Sequence, residues 1–332
     1  MWKISILALA LTLPLLMGFT SDKSGELVNL IHFQIEQGKQ IVAIGERHQH
    51  KSFHTLLGNA LSSKQTQEDI DVIVVEFGNS FYQDELDSYI NGEDISVDAI
   101  RVVWRNTVIS PNTVWDSPVY ERFFKTVRDI NRTLRPERRY RVIAGGKSID
   151  RAAIQSAEDY EPYKASLRSQ HIYEVVEAEV LLKGKKALLI AGGHHVTKIS
   201  AEVGRNGRSI RSETTGSLLE LNYPNSTFFI NVYSKLASLG IAEIKDIENG
   251  SIILSEEPWL GGIKAGEVAS FFTYEDFKLK DMADAVLHWG PEEHWVYEIP
   301  LSATYKDDDY WEELNRRSLI RRNRKMDESL RD

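Results

Sequence analysis

One short stretch of the sequence combines acidic and histidine side chains directly after an apolar run. Residues 41–44 are apolar, and Glu46, His48, His50 and His54 follow within ten positions. A carboxylate beside a histidine can orient the ring and raise its basicity, so that the histidine takes a proton from water. The same groups can also bind a divalent metal ion. A third interpretation is a polar turn that happens to be rich in histidine.

Two other apolar runs end in residues of the same types. Glu76 follows residues 72–75, and the sequence Gly-Gly-His-His, which contains His194 and His195, follows residues 187–190. These runs have the length and composition of buried strands in a parallel sheet. Because the carboxyl ends of parallel strands lie at one edge of a sheet, we expect these side chains to converge on one cleft.

The histidine side chains should differ in whether they face this cleft. We expect one of His194 and His195 to face it and the other to pack, because adjacent side chains point apart. His50 and His54 should be exposed or lie on a helix face, and they are the first we would exclude from the site.

Basic side chains add a possible role in charge stabilisation. Arg105 or Arg47 could hold a developing oxyanion or a substrate carboxylate. Arg105 could equally pair with an acid on its own helix. His288 follows a further apolar run, residues 285–287, and should approach the same cleft if that run belongs to the sheet.

Helical patterns alternate with the apolar runs and predict the elements that position these residues. The predicted helices are residues 27–36, 52–61, 84–90, 97–104, 120–134 and 169–182, and further strands are predicted at 141–144, 226–233, 251–254 and 269–274. This alternation predicts an α/β fold with a mainly parallel central sheet flanked by helices and a loop-rich C-terminal part.

The ends of the chain differ from its centre. Residues 1–20 contain Lys3 and then an uncharged apolar run, which is typical of a secretory signal peptide and predicts a periplasmic or secreted protein. Residues 21–306 should form a single α/β domain, with no stable membrane span after signal cleavage. Residues 307–332 should form a charged C-terminal helix or tail exposed to solvent.

Composition and missing motifs disfavour several functional classes. The chain of 332 residues has no cysteine, so disulfides and thiolate chemistry are excluded. A net charge of −9 argues against nucleic acid as a partner. The metalloprotease, serine-hydrolase and dinucleotide motifs H-E-x-x-H, G-x-S-x-G and G-x-G-x-x-G do not occur. Composition does not indicate an oligomeric state.

Three motifs resemble a known superfamily. The sequence GERHQHKSFH at residues 45–54 resembles the opening motif of the ChaN-like haem-binding-uptake proteins, which belong with the erythromycin esterases and the Tiki/TraB-type proteins (EreA/ChaN-like). EFGNSFYQDELDSYING at 76–92 and AGGHH at 191–195 are similar to later motifs of the ChaN-like branch. Residues 282–291 are more similar to the closing strand of the esterase branch.

Each branch implies a different activity for this chain. The esterase branch implies hydrolysis by an activated water, with Glu46, His48, Glu76 and one histidine of the 194–195 pair at the matching positions. The Tiki branch implies metal-dependent peptide cleavage. The ChaN-like branch implies haem binding and iron uptake, with histidine or tyrosine side chains near the cleft as iron ligands.

The leading hypothesis is therefore an exported hydrolase acting on an ester or amide bond of a small-molecule or peptide substrate. His48 or His194 would be the general base that acts on water. Glu46 and Glu76 would orient the reacting groups, donate a proton or bind a metal, and Arg105 would stabilise negative charge. A metal, if present, would use the set Glu46, His48, Glu76 and His194. The alternatives are a haem- or iron-binding protein without catalysis and a catalytically inactive member used for interaction.

Overall fold

Strands and helices alternate through most of the chain. The computed structural model describes residues 23–163, 168–205, 208–269 and 277–332. The strands are β1 (Ile41–Glu46), β2 (Val72–Asn79), β3 (Arg141–Gly146), β4 (Ala187–Gly192), β5 (Ala201–Arg205), β6 (Arg208–Ser212), β7 (Thr227–Asn231), β8 (Ile252–Leu254) and β9 (Ala285–Leu287). The helices are α1 (Ser24–Glu36), α2 (Lys51–Leu61), α3 (Lys64–Asp69), α4 (Gln83–Ile90), α5 (Val97–Ile100), α6 (Val102–Arg105), α7 (Pro118–Thr133), α8 (Ala157–Tyr160), α9 (Arg168–Val176), α10 (Thr215–Asn222), α11 (Pro258–Gly261), α12 (Ala265–Val268), α13 (Leu279–Met282), α14 (Ser302–Tyr305) and α15 (Asp308–Arg322).

The central sheet has seven strands in the order β3-β2-β4-β1-β7-β9-β8. Every neighbouring pair is parallel except β8 and β9, which are antiparallel at one edge. Strands β5 and β6 form a separate antiparallel pair. The predicted α/β fold with a mainly parallel sheet flanked by helices is confirmed.

Side chains of the central strands alternate between two hydrophobic clusters, one on each face of the sheet. Val42 and Ile44 of β1 pack in the cluster that includes α1, α2 and α7, whereas Ile41 and Ala43 pack in the cluster that includes α9 and α10. This alternation with a period of two residues is what a strand covered on both sides requires. It also fixes the face to which Glu46, two residues after Ile44, must point.

Strand β4 lies between the two strands that end in carboxylates. Glu46 of β1 is paired with Gly192 of β4, and Val75 of β2 is paired with Ile190 of β4. Glu76 therefore lies two strands from Glu46 at nearly the same height. The convergence expected from parallel strand ends follows from this register.

Several predicted helices differ from the observed ones in detail. Residues 97–104 were predicted as one helix, but they form two short ones, α5 and α6, that meet at Arg101. Helix α9 ends at Val176 and is followed by a π-helical turn over Glu177–Leu181. Helix α7 begins after Ser117, whose hydroxyl accepts a hydrogen bond from the Val119 N–H.

The C-terminal helix is not the solvated element that its charge predicts. Helix α15 buries Trp311, Leu314, Arg317 and Ser318 against the rest of the protein. Charge alone misleads here because long basic side chains can be buried when their N–H groups find acceptors.

Two predictions concern residues that the structure does not describe. The signal peptide at 1–20 lies outside the described residues, and so does most of the strand predicted at 269–274. Within the described part of the chain, no helix is both long enough and apolar enough to cross a membrane.

Candidate functional site

Glu46 is the buried centre of a hydrogen-bonded group at the end of β1. His48 Nδ1 lies 2.9 Å from its Oε1 atom, and His54 Nε2 lies 2.9 Å from Oε2. The Tyr120 hydroxyl donates to Oε1 at 3.3 Å. Because an ionised carboxylate can only accept hydrogen bonds, His48 carries its proton on Nδ1 and His54 carries one on Nε2. The Nε2 atom of His48 is thereby left as the basic nitrogen.

The charge states of this group follow from its contacts. Burial alone would raise the pKa of Glu46, but the hydrogen bonds from His48 and His54 outweigh burial and lower the pKa to about 2. Burial alone would lower the pKa of His48, but the hydrogen bond to Glu46 and the charges of Glu46 and Glu76 raise it above its ordinary value. His48 still exposes 35% of its side chain, so solvent reaches the ring.

Glu76 forms a second centre on the opposite face of the sheet. Its Oε2 accepts the Gly192 N–H at 2.7 Å, and its Oε1 lies 3.1 Å from His195 Nε2 and 3.3 Å from Arg168 Nη1. Burial would raise the pKa of Glu76, but the His195, His48 and Arg168 charges and the His195 hydrogen bond lower it. Ser169 Oγ lies 2.7 Å from the other ring nitrogen of His195 and fixes the ring.

Gly192 allows the two centres to approach each other at the sheet edge. A β-carbon at residue 192 would lie 2.9 Å from His48 Cε1, and 3.2 Å from both His48 Nε2 and Glu76 Oε2. The His48 ring and the Glu76 carboxylate therefore both border the position that a β-carbon at residue 192 would occupy. His48 is in this way placed between two ionised carboxylates that point to opposite faces of the sheet.

A narrow crevice lies beside the second centre. It encloses about 290 Å³, including its open mouth, and its interior has room for about one water molecule. It is lined by Glu76, Thr107, Val108, Ile109, Trp115, Gly146, Lys147, Arg168 and Ile172. Trp115 also contacts the ring of His48, with 4.6 Å between the ring centroids. The crevice and the His48 ring thus share a wall.

The two residues of the predicted histidine pair lie in different surroundings. His195 contacts Glu76 and is buried, whereas His194 lies beside it with a ring-to-ring distance of 5.6 Å. Burial, together with the nearby His195 and Arg168, lowers the pKa of His194 to about 4. The charge of Glu76 acts on His194 in the opposite direction, towards a higher pKa.

Arg105, Arg47 and His288 lie away from the two carboxylates. Arg105 Nε is 3.4 Å from Asp116, and its guanidinium stacks over the Tyr310 ring. Arg47 pairs with Glu292. His288 is buried and its Nε2 accepts the Gly290 N–H at 3.2 Å. No described contact connects these three residues with Glu46 or Glu76.

We expected His50 and His54 to be exposed or to lie on a helix face; neither is exposed, and His54 lies on a buried face of α2. His54 is 8% exposed and holds Glu46, and His50 is 1% exposed. His50 stacks on Trp295, contacts Trp289 edge-on, and has a pKa lowered by burial to about 4. The sequence did contain a signal for His54, which lies on the same face of α2 as Phe53, Leu57 and Leu61.

Three further residues of the site were not predicted. Tyr120 and Arg168 come from the first turns of α7 and α9, and their sequence neighbours give no hint of where those turns lie. Asn231, at the end of β7, donates to the Gly193 carbonyl at 2.9 Å and so holds the turn that carries His195. A polar residue ending a buried strand is the one signal that could have identified Asn231.

The donor set does not fit a divalent metal ion as it is arranged. Both oxygens of Glu46 and of Glu76 already accept hydrogen bonds, and Arg168 adds positive charge beside Glu76. Among the described residues, no group of three or more His, Asp or Glu side chains is placed to hold a metal. The chemistry below is therefore derived from the protein's own side chains.

Comparisons with known proteins support the fold. No protein-family model matches the chain, and no curated protein matches its sequence. The crystal structure of a succinoglycan biosynthesis protein is 10% identical, with a TM-score of 0.54, and the match covers 80% of this chain and 90% of that one. A Bacillus cereus protein is 12% identical, with coverage of 78% and 90% and a TM-score of 0.48. ChaN of Campylobacter jejuni, in a structure with cofacial haem binding, is 15% identical, with coverage of 61% and 84% and a TM-score of 0.39.

The last two TM-scores are too low to support a conclusion about this chain. The first supports a shared α/β fold, and at 10% identity it shows the fold alone. The chain thus has the overall fold of the succinoglycan biosynthesis protein.

Proposed function

We propose that the protein is a hydrolase in which His48 activates a water molecule to attack an ester or amide bond. The observation that carries this proposal is the pairing of His48 with Glu46. The Nδ1 atom is held at 2.9 Å by a buried carboxylate, and the ring remains 35% exposed. This is the arrangement of an oriented general base whose other nitrogen can accept a proton.

The residues around His48 have distinct roles in this mechanism. His48 Nε2 takes a proton from water, the resulting hydroxide attacks the carbonyl carbon, and the same proton then passes to the leaving group. Glu46 stays ionised, because its pKa is about 2, and stabilises the imidazolium that forms. His54 and Tyr120 hold Glu46 in place. Glu76 adds a second negative charge near His48 that favours the protonated ring.

A panel of ester, amide and peptide substrates tests the proposal, run with and without a chelator. We expect His48→Asn to lower kcat/KM by about 100-fold or more, which is typical for loss of a general base. His294→Asn is the matched control, because His294 is exposed. Turnover that survives in His48→Asn, or no turnover of any substrate by the wild-type protein, would contradict the proposal.

Haem binding can be measured separately on the same sample, by absorption spectroscopy. Stoichiometric haem binding would shift the Soret band of added haem, whatever the turnover. The interior of the crevice beside Glu76 has room for about one water molecule, which favours a small group over a porphyrin.

Export also belongs to the proposal, and it rests on residues 1–20 alone. Expression with those residues present, followed by N-terminal sequencing of protein from the extracytoplasmic fraction, tests it. A mature chain that begins close to residue 21 is the expected result.

A further inference from the structure

The crevice beside Glu76 is lined by two basic side chains whose role the proposed mechanism does not explain. Arg168 begins α9, and Lys147 follows the end of β3. They come from separate elements and meet the same space, together with the backbone of Gly146. Arg168 is 32% exposed at the side chain, so it is accessible to a ligand that enters from solvent.

Both cations retain hydrogen-bonding capacity. The Arg168 guanidinium donates from Nη1 to Glu76 at 3.3 Å, and its Nε–H has no acceptor among the described residues. Lys147 Nζ donates to the Pro162 carbonyl at 2.7 Å and lies 5.3 Å from the centroid of the Tyr163 ring. An ammonium group has three N–H donors, so a single carbonyl does not saturate Lys147.

Glu76 does not neutralise the positive charge of the crevice. Its two oxygens also accept from Gly192 and from His195, so its charge is shared with groups outside the crevice wall. The lining side chains carry two positive charges and one negative charge. In a chain with a net charge of −9, a positive crevice beside the base is a local exception that attracts anions.

We propose that the open mouth of this crevice binds an anionic group of the substrate, a carboxylate or a phosphate, next to the bond that is hydrolysed. Arg168 contributes a planar guanidinium suited to either anion, and Lys147 contributes a point charge. Trp115 lines the crevice and contacts the His48 ring, so an anion bound there would lie beside the proposed base. This inference rests on the proposed hydrolase function and names its class of substrate.

Calorimetric titration of the full chain with inorganic phosphate and, separately, with acetate tests the inference without a substrate. We expect saturable binding of at least one anion, weakened about tenfold or more in Arg168→Gln and in Lys147→Gln. Lys64→Gln is the matched control, because Lys64 is 88% exposed at the side chain and pairs only loosely with Glu68 at 3.6 Å. Phosphate alone, acetate alone or both as ligands would each support the inference and would identify the anion.

Two outcomes would overturn it: no saturable binding of either anion by the wild-type protein, or equal binding by all variants. Arg168→Lys keeps the charge and should retain binding within a few-fold, which separates loss of the anion site from unfolding of Arg168→Gln. His48→Asn should bind the anions like the wild-type protein. Failure of this inference is therefore distinguishable from failure of the hydrolase proposal, which only the turnover assay tests.

Discussion

His48 packs so closely on Gly192 that a β-carbon at residue 192 would lie 2.9 Å from Cε1 of the imidazole. Real β-carbons essentially never lie closer than 3.0 Å to such an atom, so an alanine there requires the ring to move. We expect Gly192→Ala to displace His48 from Glu46 and to lower kcat/KM about tenfold or more. Kinetics on the best substrate of the panel give the measurement.

Gly25→Ala is the control for this substitution, because a β-carbon at residue 25 meets nothing within 4 Å. It lies in α1, where alanine should be neutral or stabilising by about 0.5–1 kcal/mol. The thermal midpoint of Gly192→Ala should stay close to that of the wild-type protein. Unchanged kinetics in a well-folded Gly192→Ala would show that the close packing on His48 has no part in turnover.

The pH dependence of turnover should report the raised pKa of His48. A general base works only when deprotonated, so the rate should increase as pH rises through the His48 pKa, which lies above the ordinary 6.5. Glu46→Gln removes the hydrogen bond and charge that raise this pKa, and the acid limb should move to lower pH. Titration of the His48 ring by NMR gives the same shift independently of activity. An acid limb that stays in place in Glu46→Gln would mean that Glu46 does not set the basicity of His48.

The main features of the fold could be predicted because buried parallel strands appear in the sequence as short apolar runs. Residues 41–44, 72–75 and 187–190 lie within β1, β2 and β4, and the polar residues that follow them meet at one edge. Strand ends therefore identified Glu46, Glu76 and the histidine pair. The π-helical turn after α9 and the break at Arg101 could not be predicted, since they depend on tertiary packing rather than on periodicity.

The errors at the site arise because these side chains are positioned by tertiary contacts that the sequence pattern does not show. His54 was ranked low because it was expected to be exposed or to lie on a helix face, but the buried Glu46 carboxylate needs a donor from α2. Arg168 and Tyr120 come from helices on opposite faces of the sheet, so their approach to the site depends on how each helix docks. Arg105 looked suitable by charge alone, yet it pairs with Asp116, eleven positions further along the chain, and stacks on Tyr310.

The C-terminal helix should stabilise the wall of the crevice. Arg317 is 5% exposed and donates to the Arg105 carbonyl at 3.0 Å, to Ser110 Oγ at 2.9 Å and to Asn106 Oδ1 at 2.7 Å. These acceptors flank the loop that contributes Thr107, Val108 and Ile109 to the crevice. We expect Arg317→Gln to lower the free energy of unfolding by about 2–4 kcal/mol, because buried acceptors lose their donors. Urea denaturation measures this loss.

Arg324→Gln is the control, since Arg324 is exposed on the chain that follows α15. It should change the free energy of unfolding by no more than about 0.5 kcal/mol. If Arg317→Gln were as stable as Arg324→Gln, the C-terminal helix would be the solvated element that its composition predicts.

Stability at acid pH should depend on Glu46. Its pKa falls from 4.5 to about 2 on folding, so the folded state binds fewer protons than the unfolded chain in this range. The resulting stabilisation, on the order of 3 kcal/mol, is present above about pH 4.5 and is lost as pH falls towards 2. We expect Glu46→Gln to be less stable than the wild-type protein at pH 7 and to lose less stability between pH 5 and pH 3.

Urea denaturation at several pH values in this interval measures the slope of the unfolding free energy with pH. Glu76 also has a lowered pKa, so the slope should decrease in Glu46→Gln without vanishing. Glu85→Gln, at an exposed position of α4, should keep the wild-type slope. Equal slopes in Glu46→Gln and Glu85→Gln would mean that Glu46 is not held ionised by His48 and His54, and the orientation of the proposed base would lose its support.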